Sequence, residues 1–138
     1  LASFNKYQKG VEALMESINA GSDAWKVALT NRAPIVATDA TLTDASEISA
    51  GNGYTAGGNA ATTTSSAQTG GVYKLILASP TAWTASGATL GPFRYAVLYD
   101  STTNNLVGYW DYGSSVTLLL GESFTVSLDG TNGVFSVS

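Results

Sequence analysis

The chain has 138 residues, a net charge of −4, and neither cysteine nor histidine. That length suits one domain built on one core. The missing thiols exclude disulfide staples and thiolate chemistry, and the missing imidazoles remove the side chain that titrates near neutrality and the commonest metal ligand. Charged residues make up only 12% against 44% apolar, and the six basic side chains (Lys6, Lys9, Lys26, Arg32, Lys74, Arg94) form no stripe, which argues against a nucleic-acid partner.

Residues Leu1–Ala20 predict the one helix. Phe4, Tyr7, Val11, Leu14, Met15 and Ile18 recur at three- and four-residue spacing, and Gly21 is a natural stop. Residues 1–21 therefore read as a helix or arm, packed across the sheet or docked on a partner, and 22–138 as a β-sandwich in the same domain. Ala24–Thr30 alternates as a strand and is broken by Asn31-Arg-Ala-Pro34. Pro34–Ala50 reads as a loop with one short strand or turn of helix. Gly51-Asn-Gly-Tyr-Thr-Ala-Gly-Gly58 reads as a segment of positive backbone angles and close approach, anchored by Tyr54. Asn59–Thr69 has little to bury and reads as an exposed strand or loop. Val72–Ala78 reads as a strand buried on both faces or nearly so. A short element around Trp83 follows.

Phe93–Tyr112 is the strongest hairpin signal. Two alternating arms flank Asp100-Ser-Thr-Thr-Asn-Asn105, whose side chains favour turns. Setting Tyr99 opposite Leu106 places Val97 against Gly108, Tyr95 against Trp110, Phe93 against Tyr112 and Arg94 against Asp111. Arg94, Tyr95, Tyr109, Trp110 and Asp111 are thus expected to hold this hairpin. After Gly113, Ser115–Leu120, Ser123–Leu128 and Gly133–Val137 predict three further strands. The expected fold is mainly β: an antiparallel sandwich or small barrel of about seven to nine strands behind one amphipathic helix. The longest apolar runs are far too short to cross a bilayer, and the first residues lack a continuous signal-peptide apolar stretch, so a soluble product is expected.

Candidate chemistry is sparse. Asp39, Asp44 and Glu47 do not match a calcium-loop spacing and read as turn-forming acids. The glycine-rich run lacks the Gly-Lys-Ser/Thr ending of a phosphate loop. Asp100 and Asp111 are the best carboxylate pair for glycoside hydrolysis, but they fall toward different ends of the hairpin, and Arg94 is already a partner for Asp111. No catalytic, cofactor or metal site and no small-molecule ligand are expected. Trp83, Tyr95, Tyr109, Trp110 and Tyr112 would form a sugar-stacking platform only if exposed, so the exposure of Trp83 and Trp110 discriminates a carbohydrate-binding module from a packed core.

The succession EISAGNGYTAGG (47–58), TAWTASGATLGPFRYAVLYD (81–100) and LVGYWDYGSSVTLLLGESFTVSLDGTNGVFSVS (106–138) resembles a group of small virion proteins of tailed double-stranded-DNA bacteriophages. Asn59–Tyr73 is richer in Thr and Ser than that pattern, and Gly91-Pro92-Phe93 replaces a polar entry to the hairpin. The resemblance implies a non-enzymatic head decoration (cement) protein, made in the bacterial cytoplasm and carried on the capsid exterior. It would bridge subunits of the major capsid protein, often as a homotrimer, with no nucleic-acid or membrane partner. A tail-tube, head–tail adaptor or fibre component is the alternative. Phe4, Tyr7, Tyr54 and Trp83 are the candidate interface aromatics, and the helix, the Pro34–Ala50 loop and the Thr/Ser run are the segments expected to face outward.

Overall fold

Residues 2–138 are described by a computed structural model; Leu1, where the predicted helix begins, lies outside them. In chain order the elements are β1 (Phe4–Lys6), α1 (Gln8–Glu16), β2 (Trp25–Thr30), α2 (Leu42–Ala45), β3 (Asn59–Ala60), β4 (Thr63–Thr69), β5 (Val72–Leu77), β6 (Trp83–Thr84), β7 (Leu90–Asp100), β8 (Asn105–Leu118), β9 (Ser123–Phe124) and β10 (Phe135–Val137). They form antiparallel sheets in the orders β1-β8-β7-β2-β3, β10-β5-β4 and β6-β9, with no closed barrel.

The larger sheet is covered on both faces. One face carries Trp25, Val27, Leu29, Ala96, Leu98, Val107 and Trp110, and packs with Leu75 and Leu77 of β5 and with Trp83. The opposite face carries Ala28, Val97, Tyr99 and Leu106, and is closed by Tyr7 and by Leu42 and Ala45 of α2. The segment that reads as an ambiguous loop is thus the second cover. At its centre is a short helix whose start is tied by Asp44, which accepts the Thr41 N–H at 3.1 Å while its own N–H donates to the Thr41 carbonyl at 3.0 Å. The strand buried on both faces is β7, whose residues Tyr95–Asp100 are all buried. In β5 only Leu75 and Leu77 are fully buried, so the expectation for that strand is corrected: its other face is the outside of the smaller sheet.

The predicted helix shrinks to α1 because Phe4–Lys6 pairs with β8, Phe4 opposite Trp110 and Lys6 opposite Gly108. Phe4 and Tyr7 fit helical spacing, but strand geometry seats them deeper. Tyr7 is fully buried, and its N–H bonds the Val107 carbonyl at 3.0 Å. Gly10, a weak helix former, is where α1 touches the sheet: a Cβ there would lie 2.6 Å from the Leu106 carbonyl oxygen. A larger residue would lift the helix off β8.

The hairpin forms, but its register departs from the predicted one beyond the first rung. Tyr99 does face Leu106; the ladder then shifts, setting Leu98 against Gly108, Val97 against Tyr109, Ala96 against Trp110 and Tyr95 against Asp111. Val107 is the extra residue of a bulge. It enters the main core while Leu106 enters the opposite cluster, so two consecutive apolar residues are both buried. Gly108 then accommodates the Phe4 ring, which a side chain there would overlap. A second irregularity sets Phe93 opposite Val116, so Arg94 spans the stretch Tyr112–Ser115, and Gly113 (φ +87°) bends β8 without ending it. The predicted break at Gly113 is therefore a bulge, Ser115–Leu118 continues β8, and the last two predicted strands shorten to β9 and β10.

Candidate functional site

The shift separates the aromatic residues onto two faces. Tyr95 does not face Trp110; it lies 6.4 Å from Tyr109, which stacks obliquely on Tyr7 at 5.3 Å, while Trp110 packs on Phe4 at 5.0 Å from the other side of the sheet. The predicted ion pair survives on a diagonal. Arg94 donates through Nε to Asp111 Oδ1 at 2.8 Å and through Nη2 to Oδ2 at 3.1 Å, and its guanidinium sits 5.2 Å from the Tyr95 ring centroid. Arg94 and the Gly113 N–H hold the Asp111 carboxyl below the usual carboxylate range. Both partners are more than one-third exposed, so solvent screens the pair.

The candidate interface aromatics are placed inside. Tyr7, Tyr54 and Trp83 are 0%, 3% and 1% exposed, and Phe4 is half-buried on Trp110. This corrects the expectation of partner contact for Tyr7, Tyr54 and Trp83, whose rings fill gaps that smaller residues would leave empty, while Phe4 keeps part of its ring at the surface. Trp110 is also buried, at 6%, so the two tryptophans offer no open stacking surface. The exposed large apolar side chains are Val11 and Met15 on α1, Ile35, the adjacent pair Leu119 and Leu120 beyond β8, and Val137 on β10.

The acids are taken up by their own neighbourhood. Asp39 is not a solvated turn residue: it is 3% exposed, accepts from Arg32 Nη1 and Nη2 at 2.8 and 3.2 Å, and accepts the Ile35 N–H at 2.8 Å. Asp44 accepts the N–H groups of Ala40 and Thr41, which lower its pKa. Glu47 accepts the Tyr54 hydroxyl at 2.5 Å and the Gly57 N–H at 2.9 Å. The Tyr54 hydroxyl in turn accepts the Leu29 N–H at 3.2 Å, and Tyr99 donates to the Gly57 carbonyl at 2.6 Å. Burial first, and then the Glu47 bond, push the Tyr54 phenol well above its usual pKa; burial and Glu47 raise Tyr99 to about 12. The glycine run is thus a clamp: Gly57 and Gly58 have positive φ, and any Cβ on Gly58 would overlap the Val27 carbonyl of β2.

Asp100 is fully buried at the end of β7. Its Oδ1 accepts the N–H groups of Thr102 and Thr103 at 2.8 and 3.1 Å, the turn role its sequence context predicts. Its Oδ2 is buried with no donor in reach, and Asp23 lies beside the same carboxyl. Two carboxylates satisfy each other only through a shared proton. Burial, and then the Asp23 contact, raise the Asp100 pKa to about 6. The two turns are stitched together here: Ala24 N–H donates to Thr102 Oγ1, and the Ser101 N–H and hydroxyl donate to the Ala24 carbonyl. Asp100 and Asp111 face Asn105 and Tyr95 respectively, five residues of β7 apart, roughly 17 Å by strand rise. That exceeds the ~5–10 Å between glycosidase carboxylates. Among the described residues no three acidic, His or Cys side chains gather to hold a metal, and no helix is long and apolar enough to cross a membrane. Surface grooves of about 300 to 500 Å³ are shallow, and the one lined by Glu47 and Arg32 holds acid and base already bonded elsewhere.

Sequence reasoning missed the Arg32–Asp39, Glu47–Tyr54–Leu29 and Asp23–Asp100 contacts. Arg32 is the one base in 27–73, and its closeness to three acids was the available signal for the first. Scans of protein-family models, of curated proteins and of solved structures each find no match to this chain.

Proposed function

We propose that this chain is a structural virion protein of a tailed double-stranded-DNA bacteriophage, a decoration protein that binds the outer face of the head, bridges major capsid subunits and associates with its own copies. One observation carries the reading. The groups that would do chemistry are already bonded within the fold, Asp39 to Arg32, Glu47 to Tyr54 and Gly57, Asp111 to Arg94. What faces outward is mostly small and polar, with scattered charges such as Lys9, Glu12 and Glu16 and, among the described residues, six large apolar side chains. A surface of that kind suits contact spread over area and multiplied by copy number, in place of one tight site. The order of the glycine clamp, the tryptophan strand and the aromatic hairpin supports the same assignment, and the buried Trp83 and Trp110 weigh against the carbohydrate-binding alternative.

Mass spectrometry of gradient-purified particles, joined to electron cryo-microscopy of the heads, tests it. The chain is expected in fixed ratio to the major capsid protein, as density on the outer surface. Density confined to the tail would move the assignment to the tail alternative. Particles complete without the chain would refute a virion role.

A further inference from the structure

β4 is the edge of the smaller sheet, paired with β5 on one side only. Edge strands are normally blunted by shortness, charge, proline or bulges, because an open row of peptide groups templates pairing with another chain. The other outer strands conform: β1, β3 and β10 have three, two and three residues, and β1 ends in Lys6. β4 does not. It is seven residues long, reads TTSSAQT without charge or proline, and is exposed throughout Thr64–Thr69; its one irregularity lies at the Thr63–Ser65 end.

Hairpin geometry says which groups are free. Gly70 and Gly71, both at positive φ (59° and 83°), form a two-residue loop between Thr69 and Val72. The pair flanking such a loop exchanges both hydrogen bonds, and alternate residues aim their peptide groups the other way. Thr69 and Ala67 therefore bond to β5, while Ser66 and Gln68 present N–H and C=O to the open edge. Among the described residues no backbone bond from another element reaches either.

We propose that this edge pairs antiparallel with the same edge of a second copy, about a twofold axis at Ala67. Length selects the occupant, since no other outer strand of a second copy exceeds three residues. Charge agrees: each chain carries −4, and this neutral strand lets two copies approach without opposed like charges. An axis at Ala67 sets Ser66 opposite Gln68 of the second copy on both sides and avoids the bulged end. It also joins two three-stranded sheets into one of six and closes, leaving no long edge for a third copy. The inference does not rest on the particle assignment; a twofold contact would link decoration trimers to one another and would not build one.

Sedimentation velocity over a wide concentration range tests it, with circular dichroism as the check on folding. The natural chain is expected to dimerise. Ala67→Lys sets like charges opposite each other across the axis, and also beside Lys74 of its own β5, so the fold is checked by circular dichroism; it is expected to weaken the dimer by about tenfold or more. Because the chain has no cysteine, Ala67→Cys supplies a single thiol; facing its symmetry mate at about 4.5–5.5 Å between Cβ atoms, it is expected to cross-link on mild oxidation. Lys9→Cys, exposed on α1 against the larger sheet, is expected not to. A monomer at every concentration, an oligomer that Ala67→Lys leaves unchanged, or equal cross-linking through Lys9→Cys would overturn the proposal. A trimer indifferent to Ala67→Lys would remove the edge contact and leave the particle assignment standing, while a dimer from a chain absent from virions would do the reverse.

Discussion

Asp100→Asn is expected to stabilise the protein, and to do so more as pH rises. The amide keeps an oxygen for the Thr102 and Thr103 N–H groups and offers Asp23 a permanent N–H where the acid has only a shared proton. The sign follows from the direction of the shift. An acid whose folded pKa lies above its unfolded one binds more protons folded, so its contribution is harmless below pH 3.8 and becomes fully destabilising above about 6. A rise from 3.8 to about 6 corresponds to at most about 3 kcal/mol near pH 7.5, and to less at pH 5. For a chain of this length 3 kcal/mol is on the order of 10 °C in Tm. Thermal unfolding of both proteins between pH 5 and 7.5 isolates the effect, because the lowered pKa values of Asp44, Asp111 and Asp129 place their titrations below that window. Asp23→Asn should move stability in the same direction. A variant no more stable than the natural chain at pH 7.5, or a gain that does not change with pH, would refute the buried acid pair.

Gly58→Ala combines a left-handed backbone with overlap on the Val27 carbonyl and is expected to cost about 3 kcal/mol, read by chemical denaturation. Tyr54→Phe leaves the Leu29 N–H buried without its acceptor and should cost about 1–3 kcal/mol in the same assay. Arg94→Ala or Asp111→Ala should barely move Tm, and added salt should not widen the difference, because solvent already screens that exposed pair.

How much of this was legible in the sequence depended on the range of the contacts. β2, the tight turn at Asp100 and the glycine run around Tyr54 were readable because alternation and turn chemistry are local signals, whereas the Arg94–Asp111 pair was reached through a register that the ladder does not keep. The hairpin register was not. Leu106 and Val107 are equally apolar, and what makes Val107 the bulge is its surroundings: the Phe4 ring on Gly108 and α1 resting on the Leu106 carbonyl through Gly10. The same distant partner turned Phe4–Lys6 from helix to strand, since its spacing fits both. The buried acids were illegible for a related reason. Asp39 looks like any loop aspartate until Arg32 folds over it, and Asp23 and Asp100 are 77 positions apart, joined only once β2 is laid beside β7.

With β2 on one flank, β8 on the other and a cover on each face, the Tyr95–Asp100 half of β7 has no route to solvent short of taking the whole molecule apart. Its amide protons should therefore be the slowest to exchange with heavy water, while those facing outward from β4 should go within the first moments. Such a gradient leaves the rim free to open and close while the centre stays locked, and a chain with the role proposed above could then fit its edge to a neighbour without disturbing its core.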